Sequence, residues 1–200
     1  MLPAISPTTK LTRDHLLTLE AYSRERDAIR RSVIEHKKHR TVHLDENITL
    51  VFEDAMTVRY QVQEILRVER IFEDAGINEE LAAYNPLIPD GANLKATMLI
   101  QYDDVDARKR ALEELVDVEH HVWLEVEGAE RVLAVADEDL ERSTASKTAA
   151  VHFLRFELSA GMTDRLRGGA DLLFGIDFPA RPRAVTVPPA VREALVKDLG

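Results

Sequence analysis

An α+β fold, with a mainly antiparallel sheet, packed helices and a long N-terminal helix, is what this sequence predicts. Three observations lead there. Helix-like and strand-like segments interleave without the regular βαβ spacing of a doubly wound sheet. Pairs of short apolar runs flank turn residues, Asp45-Glu46-Asn47 in one case and Gly128 in the other, as antiparallel hairpins require. Leu19, Tyr22, Ile29 and Val33 recur at helical spacing in an otherwise charged stretch.

Taken in order, residues 1–10 read as a loose arm with two prolines, followed by a single domain over residues 11–200. Thr12 suits the N-cap of a helix reaching about His39. Its surface is too charged to bury all round, so it lies along the domain or pairs with a second chain, and a homodimer is expected. Thr41 to Glu53 form two short strands. Asp54 resembles an N-cap for a helix from Ala55 to Ala75, ended by Gly76. Met56, Val58, Tyr60 and Val62 also alternate, so residues 55–63 stay open between helix and strand.

A short helix over Asn78 to Tyr84 leads into the stiff Asn85-Pro86-Leu87-Ile88-Pro89-Asp90-Gly91 loop. Leu94 to Tyr102 is a strand and Asp104 to Val116 a helix. His121 to Glu127 and Arg131 to Ala136 make the second hairpin, and residues 137–148 a polar linker. Ala150 to Leu158 and Asp171 to Ile176 are strands around a helical turn at Met162 to Leu166. Pro179 and Pro182 break the chain before an edge strand at Ala184 to Val187. Pro189 opens a closing helix on which Val191, Leu195 and Leu199 share a face.

Composition removes several chemistries. With no cysteine there are no disulfides, thiolate nucleophiles, cysteine zinc sites or cysteine-ligated iron–sulfur clusters, so any non-haem metal needs His, Asp, Glu or backbone oxygen. A net charge of −10 opposes general nucleic-acid binding. No apolar run approaches the ~20 residues of a membrane-spanning helix. The first residues lack a signal peptide's pattern, so a cytoplasmic protein is expected. The nucleotide-loop, nucleophile-elbow and paired-histidine zinc motifs are also absent.

Glu69 is the position where pattern and chemistry disagree. On a helix it falls within the arc of Val58, Val62, Ile65 and Phe72, and a buried carboxylate needs a base, a metal or a proton. One reading is an ion pair with an arginine from a strand, for which Arg155 is the candidate. The other is a metal ligand or general base. Arg59, Gln63, Arg67 and Arg70 gather on the opposite side, either as a solvated basic stripe or as a docking face for an acidic partner. Tyr60 and Glu64 adjoin it. His152 joins Leu154, Phe156 and Leu158 on one strand face, which makes it a buried histidine or a metal ligand. His121, Trp123, Glu125 and Glu127 share a partly exposed face that could serve as a contact surface. His36 and His39 have a workable metal spacing, but surrounding lysines make a basic helix end the simpler account.

Three separated segments carry a resemblance: residues 60–70 from Tyr60 to Arg70, residues 84–91 from Tyr84 to Gly91, and residues 152–157 from His152 to Glu157. Together they resemble an uncharacterised bacterial family, the domain of unknown function thirty-five-oh-one, over nearly the whole chain from Leu11. The resemblance implies a setting beside rubrerythrin and an iron–sulfur oxidoreductase, in oxidative-stress defence or electron transfer. It implies no catalytic residues. The leading expectation is therefore a non-catalytic accessory or docking protein of such a system. The alternative is a small non-haem metal-dependent or ligand-binding enzyme using Glu64, Glu69 and His152.

Overall fold

Asp45 accepts the backbone N–H groups of Asn47 and Ile48, both at 2.7 Å, and so closes the first hairpin where the sequence places it. In the computed structural model of the chain, residues 5–179 and 182–200 are described. The strands are β1 (Thr41–His43), β2 (Ile48–Phe52), β3 (Asn93–Ile100), β4 (Val122–Val126), β5 (Val132–Leu133), β6 (Val135–Ala136), β7 (Val151–Glu157), β8 (Leu172–Ile176) and β9 (Arg183–Thr186). The helices are α1 (Leu19–Lys38), α2 (Ala55–Glu69), α3 (Asp74–Tyr84), α4 (Val105–Glu114), α5 (Ala160–Arg167) and α6 (Pro189–Val196).

Every strand pair is antiparallel, and the strands form two sheets ordered β1-β2-β3-β7-β6 and β5-β4-β8-β9. The second arm of the Gly128 hairpin is shared between them. It pairs with β4 as β5, then passes Ala134 and pairs with β7 as β6. Alternate residues of both sheets point into one core, where Phe174 meets Phe52 at 4.9 Å and Phe156 at 5.3 Å between ring centroids. The α+β prediction with a mainly antiparallel sheet holds. The edge strand runs Arg183–Thr186, and the break before it includes residues 180 and 181, which lie outside the described residues.

Helices α1 to α3 pack on one another around separate apolar clusters. Tyr22, Ile29 and Val33 are the buried positions of α1, and Leu19 packs at the margin of the neighbouring cluster. The start of this helix differs from the sequence reading. Thr12 organises a single 3₁₀ turn, Arg13–His15, whereas Thr18 caps α1 by accepting from Ala21 N–H at 3.3 Å. Between the two turns the chain extends and buries Leu16 in the apolar cluster of α2 and α3. Residues 5–10 are tied down as well: Pro7 accepts from Ala55 N–H, and the Lys10 amine donates to the carbonyls of Asn85 and Ile88.

Residues 55–63 are helical. Asp54 caps α2 as expected, with reciprocal bonds to Thr57 at 2.9 Å. The far end of α2 is a correction. It stops at Glu69, where Arg70 takes a left-handed conformation (φ 57°) and its N–H returns to the Leu66 carbonyl. Gly76 ends nothing; it lies inside α3. A Cβ there would come within 2.8 Å of Ile71 Cγ2, so the glycine permits the tight α2–α3 corner. Among the described residues, no helix is long and apolar enough to cross a membrane.

Candidate metal centre

His152 lies on β7 opposite Met98 of β3, and alternation turns it inward with Leu154 and Phe156. It is fully buried, as its sequence position predicts. What surrounds it comes from two other segments. Glu119, only 2% exposed, stands in the 3₁₀ turn Val118–His121 before β4. Asp137 directly follows β6, where the chain leaves the sheet with a left-handed backbone (φ 50°). The polar linker then doubles back, bringing Ser143 and Thr148 over the same spot.

Ligand atoms of Glu119, Asp137 and His152 all lie within 4.8 Å of one another. Nδ1 of His152 is 2.6 Å from Asp137 Oδ2 and 3.9 Å from Glu119 Oε1. Nε2 sits 3.0 Å from the Ala149 carbonyl and 2.8 Å from Thr148 Oγ1. Asp137 Oδ1 accepts from Phe153 N–H at 2.9 Å and from Arg142 at 3.2 Å. Ser143 donates to Glu119 Oε1. A cavity of about 350 Å³ opens beside the cluster, lined by Glu119, Asp137 and Ser143.

The donor set suits a divalent metal. One imidazole and two carboxylates favour borderline and hard ions such as Fe(II), Mn(II) or Zn(II). Metal-bound histidines commonly direct their second nitrogen at a backbone carbonyl, as Nε2 does here toward Ala149. Hydrogen bonds from Arg142, Phe153 and Ser143 would hold the carboxylates in place. On the outer side Arg142 forms a fork with Asp139 at 2.6 and 2.7 Å, which keeps the Asp139 carboxyl below its ordinary range.

The residues singled out from the sequence do not assemble around His152. Glu69 is exposed at the last turn of α2, close enough to Glu80 to help raise that residue's carboxyl pKa, after burial as the main cause. Its angle on the helix is that of the buried Val58 and Val62. Burial stops at Leu66, because the helix runs past the core and ends. Phe72 of the supposed apolar arc is off the helix and 68% exposed. Arg155 does not reach Glu69; it forms a fork with Glu138 at 2.7 and 2.8 Å and bonds Glu157.

The basic stripe dissolves likewise. Arg59 and Gln63 face inward, and Gln63 Oε1 accepts from Leu17 N–H at 2.7 Å. Tyr60 lies with Arg59 along the α1–α2 groove. Glu64 is the hub between those helices: it receives Arg26 at 2.8 Å through both nitrogens, Tyr22 at 2.6 Å and Arg67 at 3.3 Å. The Arg26 bond above all holds its carboxyl down to about 2. Arg70, the αL cap, is exposed. Trp123 is buried rather than presented on a contact face, with the Arg131 guanidinium 3.8 Å above its ring. Glu119 and Asp137 were invisible to sequence reasoning, since each sits in a polar stretch without periodicity.

Residues 10–199 match the family described as protein of unknown function, DUF3501. The chain belongs to this family. The resemblance carried by the three sequence segments is thereby established. This chain is similar to a crystal structure described as a novel protein of unknown function from Burkholderia pseudomallei K96243, at 49% identity. The alignment covers 96% of this chain and 100% of that one, with a TM-score of 0.92. No curated protein matches this DUF3501 member.

Proposed function

We propose that this protein binds one divalent metal ion through Glu119, Asp137 and His152, as a non-catalytic accessory component of a rubrerythrin-linked redox system. One observation carries the metal reading: a nitrogen of His152 and carboxylate oxygens of Asp137 and Glu119 converge within 4.8 Å of one another. In the tautomer whose Nε2–H donates to the Ala149 carbonyl, the Nδ1 lone pair is free for a metal beside Asp137 Oδ2, and Glu119 adds a second carboxylate. In the other tautomer Nδ1–H donates to Asp137 and Nε2 accepts from Thr148. A divalent ion held by these three groups would offset the charge of two carboxylates taken largely out of water. The alternative is a histidine held by hydrogen bonds alone, and metal titration separates the two.

The measurement is metal content of protein purified without chelator, followed by titration with Fe(II), Mn(II) and Zn(II). About one equivalent per chain is expected, lost in His152→Ala and in Asp137→Asn. Wild-type protein that is metal-free and binds none of the three saturably overturns the reading.

A second observation supports docking. Val68 and Phe72, 65% and 68% exposed, flank Arg70 at the α2–α3 corner, giving a surface with both apolar area and charge. This corner replaces the arginine stripe as the preferred contact for rubrerythrin or the iron–sulfur oxidoreductase. Co-purification from the native host should recover one of them, and Phe72→Ser with Arg70→Glu should abolish recovery. Capture indifferent to both changes removes the docking reading. The proposed homodimer through α1, where Ile34 is half exposed, is read by light scattering. A monomer at micromolar concentration excludes it.

A further inference from the structure

A second cavity, of about 420 Å³, lies between three parts of the molecule and shares Arg142 with the cavity beside the metal cluster, but none of the three metal-site residues lines it. The end of α3 and the following loop, through Tyr84 and Leu87, form one wall. The polar linker, through Glu138 and Arg142, forms the other, while β3 and β7 provide the floor. Its volume is that of small-molecule sites, which concentrate where separate packing units meet.

The charges in this cleft divide into two kinds. Arg142 and Arg155 are each neutralised by a carboxylate fork, from Asp139 and Glu138 respectively. Two others have no ion-pair partner among the described residues. Glu53 is 3% exposed, and its carboxylate accepts only from neutral hydroxyls, Thr97 at 2.7 Å and Thr57 at 2.5 Å. A carboxylate has lone-pair capacity for about four bonds, and a buried one without a cation is costly. Lys95, beside it across the β2–β3 ladder, donates its amine to the neutral Pro86 carbonyl. Burial, with Arg155 nearby, lowers the Lys95 pKa despite the pull of Asp90, Glu138 and Glu157. The two side chains line the same cleft and do not pair with each other.

A site with one charge of each sign outside any close ion pair disfavours a simple anion and a simple cation alike, since each would meet a like charge. We propose that this cleft binds a small zwitterion, an α-amino acid with an apolar side chain. Its ammonium group sits at Glu53, its carboxylate at Lys95, and its side chain against Phe153, Leu87 and Tyr84.

The test is calorimetric titration with matched ligand sets: phenylalanine, phenethylamine and 3-phenylpropionate, and leucine with its corresponding amine and acid. Saturable binding is expected for an amino acid and not for its deaminated or decarboxylated congeners. Glu53→Gln and Lys95→Met should each abolish it, while His152→Ala should leave it unchanged, keeping this inference separate from the metal site. Lys95 is the less buried of the two, so its variant preserves the test should Glu53→Gln fail to fold. Absence of saturable binding by both amino acids overturns the proposal. So does equal binding of amine or acid, or binding that survives Lys95→Met.

Discussion

Arg40 and Asp198 meet across 158 residues of chain, with Nη1 3.2 Å from Oδ1 and Nη2 bonded to Oδ2. Both are buried, and Arg40 also donates to the carbonyls of Phe52 and Glu53 at 2.9 and 3.0 Å. Asp54 stands 3.6 Å from the same guanidinium and 2.6 Å from His36 Nε2. This network joins the end of α1, the end of β2, the start of α2 and the C-terminal segment.

Arg40→Met should therefore destabilise the protein by about 3–5 kcal/mol, because it leaves the buried Asp198 carboxylate without its cation and Asp54 with His36 alone. Urea denaturation checks this. A loss below about 1 kcal/mol would mean that water reaches the carboxylates.

The same pair makes stability depend on pH. Burial pushes the Asp198 carboxyl up to about 6 against the pull of Arg40. Between the ordinary carboxylate range and pH 6 the folded chain thus holds a proton that the unfolded chain has released. This group's contribution is fully present below about pH 4 and is lost as pH rises through about 6. Relative to Asp198→Asn, wild-type unfolding free energy should fall by on the order of 2 kcal/mol from about pH 4 to about pH 7. Asp54 titrates in both proteins and largely cancels in the difference. A flat difference, or a rising one, contradicts the assignment.

Glu64→Gln should cost about 1–2 kcal/mol, since Arg26 and Tyr22 lose their charged acceptor at a site 21% exposed. With the carboxyl held down to about 2, this contribution is present above the ordinary carboxylate range and fades only as pH falls toward 2. Denaturation of the variant at neutral pH and at about pH 3 measures both halves of the statement.

Glu69→Leu should change stability by no more than about 0.5 kcal/mol, as for other exposed positions. A loss of several kcal/mol would place the carboxylate in a buried pair after all.

Gly175 pairs with Trp123 across β4 and β8, and a Cβ at that position would run into the indole ring and the Arg183 carbonyl. Gly175→Ala should cost about 3 kcal/mol through overpacking. Near-UV circular dichroism should report the displaced tryptophan.

What sequence periodicity and turn chemistry determined here is local. The Asp54 cap, the Asp45 turn, the inward face of β7 with His152, and the buried Val191 and Leu195 of α6 follow from interactions within a few residues, whereas Leu199 lies past the end of that helix, bridged to Gly91. Family membership was legible for the same reason, in three short segments. Tertiary structure alone decided which charges meet. Glu69 has the helical angle of a core residue, yet nothing in its neighbours reveals that the core ends one turn earlier. Glu119, Asp137 and His152 come together because β6 pairs with β7 and the turn before β4 lies beside them, and such pairing of distant polar positions leaves no trace in local periodicity. Arg40 and Asp198 likewise depend on the C-terminal segment docking beside the first hairpin. Angles repeat along a chain and can be read from it, whereas depth and long-range charge pairing exist only after the elements have packed.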